Sequence, residues 1–203
     1  MMKQSITTLN NWRTAEAGLK SSYRRMVIAR LPVNLYSAQA RMQRRAATLL
    51  HGMDEGSSLW EELDCIHLAD DERGDRTSLH LGGATGGVAL TNLSCRGLLA
   101  AAGNGTLFLQ NADKLSHSAQ RVLVRIFETG RYTPVGDPFP RPIACRIILS
   151  SQFPMAELAR RVAVRRDFAE VFGQISLPAE KLVEVLGRED LYRIHPSSLA
   201  AAS

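Results

Sequence analysis

Chemistry in this chain would have to come from a few short stretches. Gln110-Asn111 closes the run Gly105-Thr-Leu-Phe-Leu. Thr106 to Leu109 suits a buried parallel strand, and the polar residues at its carboxyl end stand where open α/β sheets place their functional groups. Both are amides, able to donate and accept hydrogen bonds but carrying no charge. Gly82-Gly-Ala-Thr-Gly-Gly87 is rich enough in glycine to read, by itself, as a flexible connector. The pairs Arg24-Arg25, Arg44-Arg45, Arg160-Arg161 and Arg165-Arg166, with a net charge of +5 and a pI near 9.4, raise the question of nucleic-acid binding by counterion release. They are spread between apolar helical positions, however, and read as solvated helix faces. Asp70 to Asp75 lacks the alternation of a calcium loop and reads as a mobile, solvated stretch. Cys65, Cys95 and Cys145 have neither CxxC nor Cys/His ligand spacing, which points away from a disulfide framework or a metal site and toward buried thiols in a reducing cytoplasm.

The elements that would position these residues follow from periodicity. A chain of 203 residues, 45% hydrophobic, can bury one substantial core. No apolar run reaches the roughly 20 residues of a membrane span, and the polar start from Met1 to Asn11 is no signal peptide. Residues 1–25 read as an arm, 26–191 as the domain and 192–203 as a tail. Met26 to Ala29 is expected to be the first core strand, and Ser37 to His51 a helix with Ala38, Met42 and Ala46 on one face. Leu59 to Ile66 is a second strand in which Trp60 serves packing. After Leu109 comes a helix with Leu115, Ala119, Leu123 and Ile126 at helical spacing, Ser116 as N-cap and Gly130 as the stop. Pro134, Pro138, Pro140 and Pro142 exclude regular structure from Thr133 to Ile143. Ile143 to Ser151 and Gln174 to Leu177 are further strands, and Pro178 to Leu186 a helix ended by Gly187. This alternation of short apolar runs with helical segments is that of an α/β fold.

Gly105 to Asn111 and the helix after it resemble the Walker B segment of bacterial enhancer-binding proteins, the AAA+ ATPases that activate sigma-54 RNA polymerase. The family writes GTLFLDE, a helix carrying LQ...LLR, then EG...VG. Gln120, Leu123, Arg125, Gly130, Val135 and Gly136 fall in register. Gly97, Leu98, Ala102 and Gly105 match the lead-in GLFExADGG, Leu63-Asp64-Cys65 a Val-Asn-Cys segment, and Arg146-Ile147-Ile148 the strand VDVRVIAATN. The resemblance covers about residues 26 to 191 and is strongest from Gly97 to Gln152. It implies a three-layer αβα sandwich with five parallel strands in the order 5-1-4-3-2 and, because the chain ends soon after Arg188-Glu-Asp-Leu191, a truncated lid.

The same resemblance implies departures at the sites. Where the family has Asp-Glu to hold magnesium and polarise water, this chain has Gln110-Asn111. The stretch aligned with the phosphate loop is Arg30 to Ser37, which has no glycine and puts Tyr36 in the place of the lysine. Gly82, Thr85 and Gly86 match the family's sigma-54-contacting GAFTGA loop, but Ala84 replaces its phenylalanine. Gln152 stands for the sensor asparagine. Arg165, thirteen positions further on, stands for the first arginine finger; Asp167 also matches, and Val171 replaces the second arginine.

The resemblance thus implies a cytoplasmic, non-catalytic module without cofactor or metal. It is expected to regulate transcription through contact with an intact enhancer-binding protein or sigma-54, as a monomer or weak dimer that does not bind nucleic acid directly. Two alternatives are an ATPase using unorthodox residues such as Arg30 and Asp113, and a basic nucleic-acid-binding protein.

Overall fold

The computed structural model describes residues 18, 21–22, 25, 31–53, 59–85 and 95–193, the last six of these by backbone alone. Five strands form one parallel sheet: β1 (Val33–Tyr36), β2 (Trp60–Asp64), β5 (Thr106–Gln110), β8 (Arg146–Ser151) and β9 (Ser176–Pro178). Their spatial order is β2-β5-β8-β1-β9. Numbered as the first to fifth strands of the sheet and read from the other edge, that is 5-1-4-3-2, as expected.

Alternation along the central strands divides the core in two, as a period of two residues requires. Leu107 and Leu109 of β5, with Ile147 and Leu149 of β8, enter one cluster. There they meet α2 (Asp75–Gly82), α4 (His117–Thr129), α5 (Met155–Arg160) and α6 (Arg166–Phe172). Phe108 and Ile148 face the other way and join Val33 and Leu35 of β1 in a cluster covered by α1 (Ala40–Gly52) and α7 (Ala179–Arg193). The short α3 (Leu98–Ala101) leads into β5, with Leu99 in the first cluster. Trp60 packs between His51 and Phe108, at ring separations of 5.2 and 5.5 Å, in the structural role expected of it. Ser116 caps α4 through its hydroxyl, which accepts from Ala119 N, and Gly130 ends that helix at φ 63°.

Several expectations are corrected. Met26 to Ala29 and Arg30 lie outside the described residues, and the first strand of the described sheet is Val33–Tyr36, between β8 and β9. Asn34 hides it in the sequence by interrupting the apolar run. The side chain is fully buried, with Nδ2 donating to Ser176 Oγ and Oδ1 accepting from Ser151 Oγ, so burying this amide leaves no unmet hydrogen bond there. Gly187 does not end the last helix; α7 continues to Arg193, with Gly187 buried and facing Arg45 and Leu49 of α1. Arg188-Glu-Asp-Leu191 therefore prolongs this helix instead of opening another. Cys65 and Cys145 are buried, but Cys95 is exposed.

Asp70 to Asp75 is only partly a solvated loop. Asp71 is buried, and its carboxylate accepts hydrogen bonds from Gly74 N, Arg76 N, Thr77 N and Thr77 Oγ1, organising the entry to α2. Among the described residues no helix is long and apolar enough to cross a membrane.

Candidate functional site

The carboxyl ends of β1, β8 and β5 converge on one edge of the sheet. Between β1 and α1 lie only Ser37, Ala38 and Gln39. A P-loop is strand, GxxxxGK[ST], helix; laid from the residue after β1, its eight positions fall on Ser37 to Arg44. The glycine positions are then Ser37 and Met42, the lysine position is Gln43 and the hydroxyl position is Arg44. The expected placement of Tyr36 at the lysine position is corrected: Tyr36 is the last residue of β1, held in register between Ser151 and Pro178. Ser37 keeps a place in the loop region, at its start.

The helix begins at Ala40, so five of these eight residues are wound into α1 instead of forming a loop. Gln43 is 5% exposed, and its Nε2 donates to Ser37 O at 2.7 Å and Ser151 O at 2.9 Å. One neutral amide thus ties the β1–α1 turn to the end of β8. Ser37 Oγ donates to Glu180 of α7 and accepts from Gln39 N. Glu180 therefore sets a carboxylate against the start of the turn, where it opposes an approaching anion. Sequence reasoning missed Gln43 and Glu180. Counting eight residues from a strand placed at Val33–Tyr36 would have found the first; no local signal marks the second.

At the end of β5, Gln110 is half-buried and Asn111 adopts φ 53°, ψ 43°, a left-handed conformation that asparagine tolerates better than most residues. Asn111 Nδ2 donates to Asp64 Oδ1 at 2.9 Å, and the same oxygen accepts from Ile66 N at 3.1 Å. Compared with the family pattern of asparagine on the second strand and Asp-Glu on the third, amide and carboxylate have changed places. Asp64 and Asp113 both act on Cys65, whose thiol is pushed far up by burial first and then by these two carboxylates. Asp113 is paired with Lys114 at 3.1 Å. Gln152 follows β8 and is exposed.

Gly82 and Ala84 are not a loose connector. Gly82 is the last residue of α2, and β3 (Gly83–Ala84) pairs antiparallel with β4 (Cys95–Arg96). A Cβ at Gly83 would come within 2.3 Å of Cys95 O, which, with φ 77°, requires glycine there. Thr85 N donates to Val135 O, and Val135 N to Gly83 O, joining this strand pair to the proline-rich segment; Gly86 lies outside the described residues. Contrary to the expectation from its prolines, that segment is not wholly irregular: Arg141–Pro142 (β7) pairs antiparallel with Arg131–Tyr132 (β6) and folds it back.

Arg165 precedes α6, and its guanidinium forms a two-point contact with Asp167, Nε to Oδ1 at 3.0 Å and Nη2 to Oδ2 at 2.7 Å. The hydrogen bond from Arg165 holds the Asp167 carboxyl below its ordinary range, and Asp167 raises Arg165 in turn. Gln120 fixes the backbone here, its Oε1 accepting from Arg165 N at 2.8 Å and its Nε2 donating to Leu115 O at 2.9 Å. Of the arginine pairs, Arg44 meets Glu62, Arg161 meets Glu157, and Arg165 meets Asp167, which breaks up the local positive charge.

Residues 78–177 match the family described as the sigma-54 interaction domain. Over 72 residues the chain is 33% identical to the acetoin dehydrogenase operon transcriptional activator AcoR of Bacillus subtilis, covering 36% of this chain and 12% of that protein. Over 102 residues it is 28% identical to the C4-dicarboxylate transport transcriptional regulatory protein DctD of Rhizobium meliloti, covering 50% of this chain and 22% of that one. The chain thus corresponds to a small part of these relatives. In structure it is similar to NtrX of Brucella abortus crystallised with ATP, at a TM-score of 0.64 and 14% identity over 80% of this chain and 36% of the other. At that identity the likeness is one of fold.

Proposed function

We propose that this chain, which carries a sigma-54-activator-like AAA+ domain of transcription regulation, works without hydrolysing nucleotide and acts through protein contact. The observation that carries the reading is the amide of Gln43 bridging Ser37 O and Ser151 O. Phosphoryl transfer rests on charge neutralisation and positioning. Here a neutral side chain holds the lysine position, the helix has consumed the loop, and neither residue at the end of β5 is a carboxylate. Arg165, occupied by Asp167, fits a scaffold better than a finger waiting for a γ-phosphate.

A partner for such a module is an intact activator of the same family or sigma-54 itself. Size-exclusion chromatography with multi-angle scattering of this chain mixed with a sigma-54 activator or with sigma-54, at tens of micromolar, tests this. A joint species supports the reading, whereas independent elution from both would count against it. A second reading, an unorthodox ATPase, has one observation in its favour: Asp64 and Asp113 keep carboxylates near the end of β5. Arg30, its other proposed participant, lies outside the described residues.

A further inference from the structure

A groove of about 440 Å³ runs along the outer side of α4 and is lined by Arg73, Arg121, Arg125 and Arg165, with Glu128 and Asp167 between them. Arg121 and Arg125 lie one helical turn apart on α4, and Arg73 comes from the loop organised by Asp71. All three are exposed. Asp167 is engaged by Arg165, and Arg121 Nη2 reaches only Ser118 Oγ at 3.0 Å. Among the described residues, Arg73, Arg121 and Arg125 form no ion pair, and the groove brings these three guanidiniums together beside the paired Arg165.

We propose that this groove docks an acidic helical segment of a protein partner, with carboxylates at i, i+4 spacing meeting Arg121 and Arg125 and a third reaching Arg73. The proposal rests on the protein-contact reading and gives it a surface. Guanidinium binds carboxylate in a planar two-point fork, and residues four apart on facing helices match in spacing. Val122 and Val124, which also line the groove, offer apolar contact beside the charges. A nucleic-acid strand fits less well. No aromatic ring lines the groove for stacking, and phosphates are fixed at every nucleotide, whereas a helix can carry its carboxylates only opposite Arg73, Arg121 and Arg125 and leave neutral residues opposite Glu128 and Asp167.

The probe is a fluorescent alanine-based helical peptide with Glu at i, i+4 positions, titrated by anisotropy at about 50 mM salt, where surface charge is weakly screened. A Gln-for-Glu peptide and a 20-base-pair DNA duplex are run beside it. We expect the Glu peptide to bind at least tenfold more tightly than either. Arg121→Glu with Arg125→Glu should remove at least tenfold of that affinity while circular dichroism and the melting temperature stay near those of the parent, because both side chains are exposed. No binding of the Glu peptide, equal binding of the Gln peptide, an unaffected double variant, or tighter binding of DNA would each overturn the proposal. A failure here is distinct from a failure of the functional reading. The groove is built from α4, the start of α6 and the loop that carries Arg73, so ATP hydrolysis by the chain would sink the non-catalytic reading and leave the peptide result standing.

Discussion

Replacing Gln43 by methionine removes the amide while keeping most of the side-chain volume, which isolates the two hydrogen bonds it donates. Gln43 is 5% exposed and its acceptors are the backbone carbonyls of Ser37 and Ser151. Leaving a buried polar group unsatisfied costs about 1–3 kcal/mol. Ser151 O keeps the hydrogen bond it accepts from Ser37 N at 3.1 Å, so only Ser37 O, of a residue 5% exposed, loses its donor in the amide. The expected loss is therefore about 1–3 kcal/mol, one such penalty. For a domain of this size it should lower the melting temperature by roughly 2–12 °C. Urea denaturation followed by circular dichroism gives the number, with an unchanged m-value showing that the difference is one of stability. A loss under about 0.5 kcal/mol, in the range of an ordinary surface substitution, would mean that Gln43 does not bridge the turn to β8 and would remove the observation that carries the proposed function.

Acid sensitivity should trace to Asp71. Burial works to raise its pKa, but the hydrogen bonds from Thr77, Arg76 and Gly74 outweigh it and hold the carboxyl below its ordinary range. A folded pKa lower than the unfolded one contributes stability above the unfolded value, near 3.9, that is lost as pH falls through the folded value. Asp71→Asn should therefore be less stable at pH 7, by about 2–4 kcal/mol for hydrogen bonds to a charged acceptor, and the gap should narrow below about pH 4; a gap independent of pH from 7 to 3 would contradict this. Gln110→Asp with Asn111→Glu should not produce ATP hydrolysis and should lower stability, since a glutamate at φ 53° would be strained and would face Asp64 at the place where Asn111 now donates to it. Measurable turnover in a phosphate-release assay would argue against the reading. Val162 holds φ 58° while 74% exposed, so Val162→Gly should stabilise by about 0.5–1 kcal/mol, the relief of a β-branched residue in the left-handed region less the added chain entropy; thermal melting that shows a loss would contradict the assigned strain.

The sheet was legible in the sequence wherever its strands are apolar. Thr106–Gln110 and Arg146–Ser151 are marked by unbroken Leu, Ile and Phe, and α4 by its spacing, its serine cap and its glycine stop. The first strand was not, because Asn34 occupies a central position whose hydrogen bonds come from Ser151 and Ser176, more than 100 residues away in sequence. The resemblance set Tyr36 in the lysine position, whereas the strand that ends at Tyr36 leaves only Ser37 to Gln39 before the helix. Asp71 looked like one more acid in a charged loop because its partners are mostly backbone N–H groups, which sequence does not advertise. The termination expected at Gly187 failed for a related reason: packing of α7 against α1 outweighs the helix-breaking tendency of a single glycine, worth only about 1 kcal/mol. Gln110-Asn111 stands at the strand end expected from the apolar run, while Arg165, expected only by its spacing from Gln152, proves to precede a helix. Their partners Asp64 and Asp167 emerged only in three dimensions.

The central claim concerns nucleotide, and isothermal titration of the protein with ATP and magnesium tests it most directly. With Gln43 in the lysine position and α1 wound through the loop, titration to millimolar ATP should give no heat beyond dilution. The melting temperature should also stay fixed, because a ligand stabilises only through its affinity for the native state. A saturable isotherm with a dissociation constant below about 100 μM, abolished by a substitution at Gln43, would contradict the account.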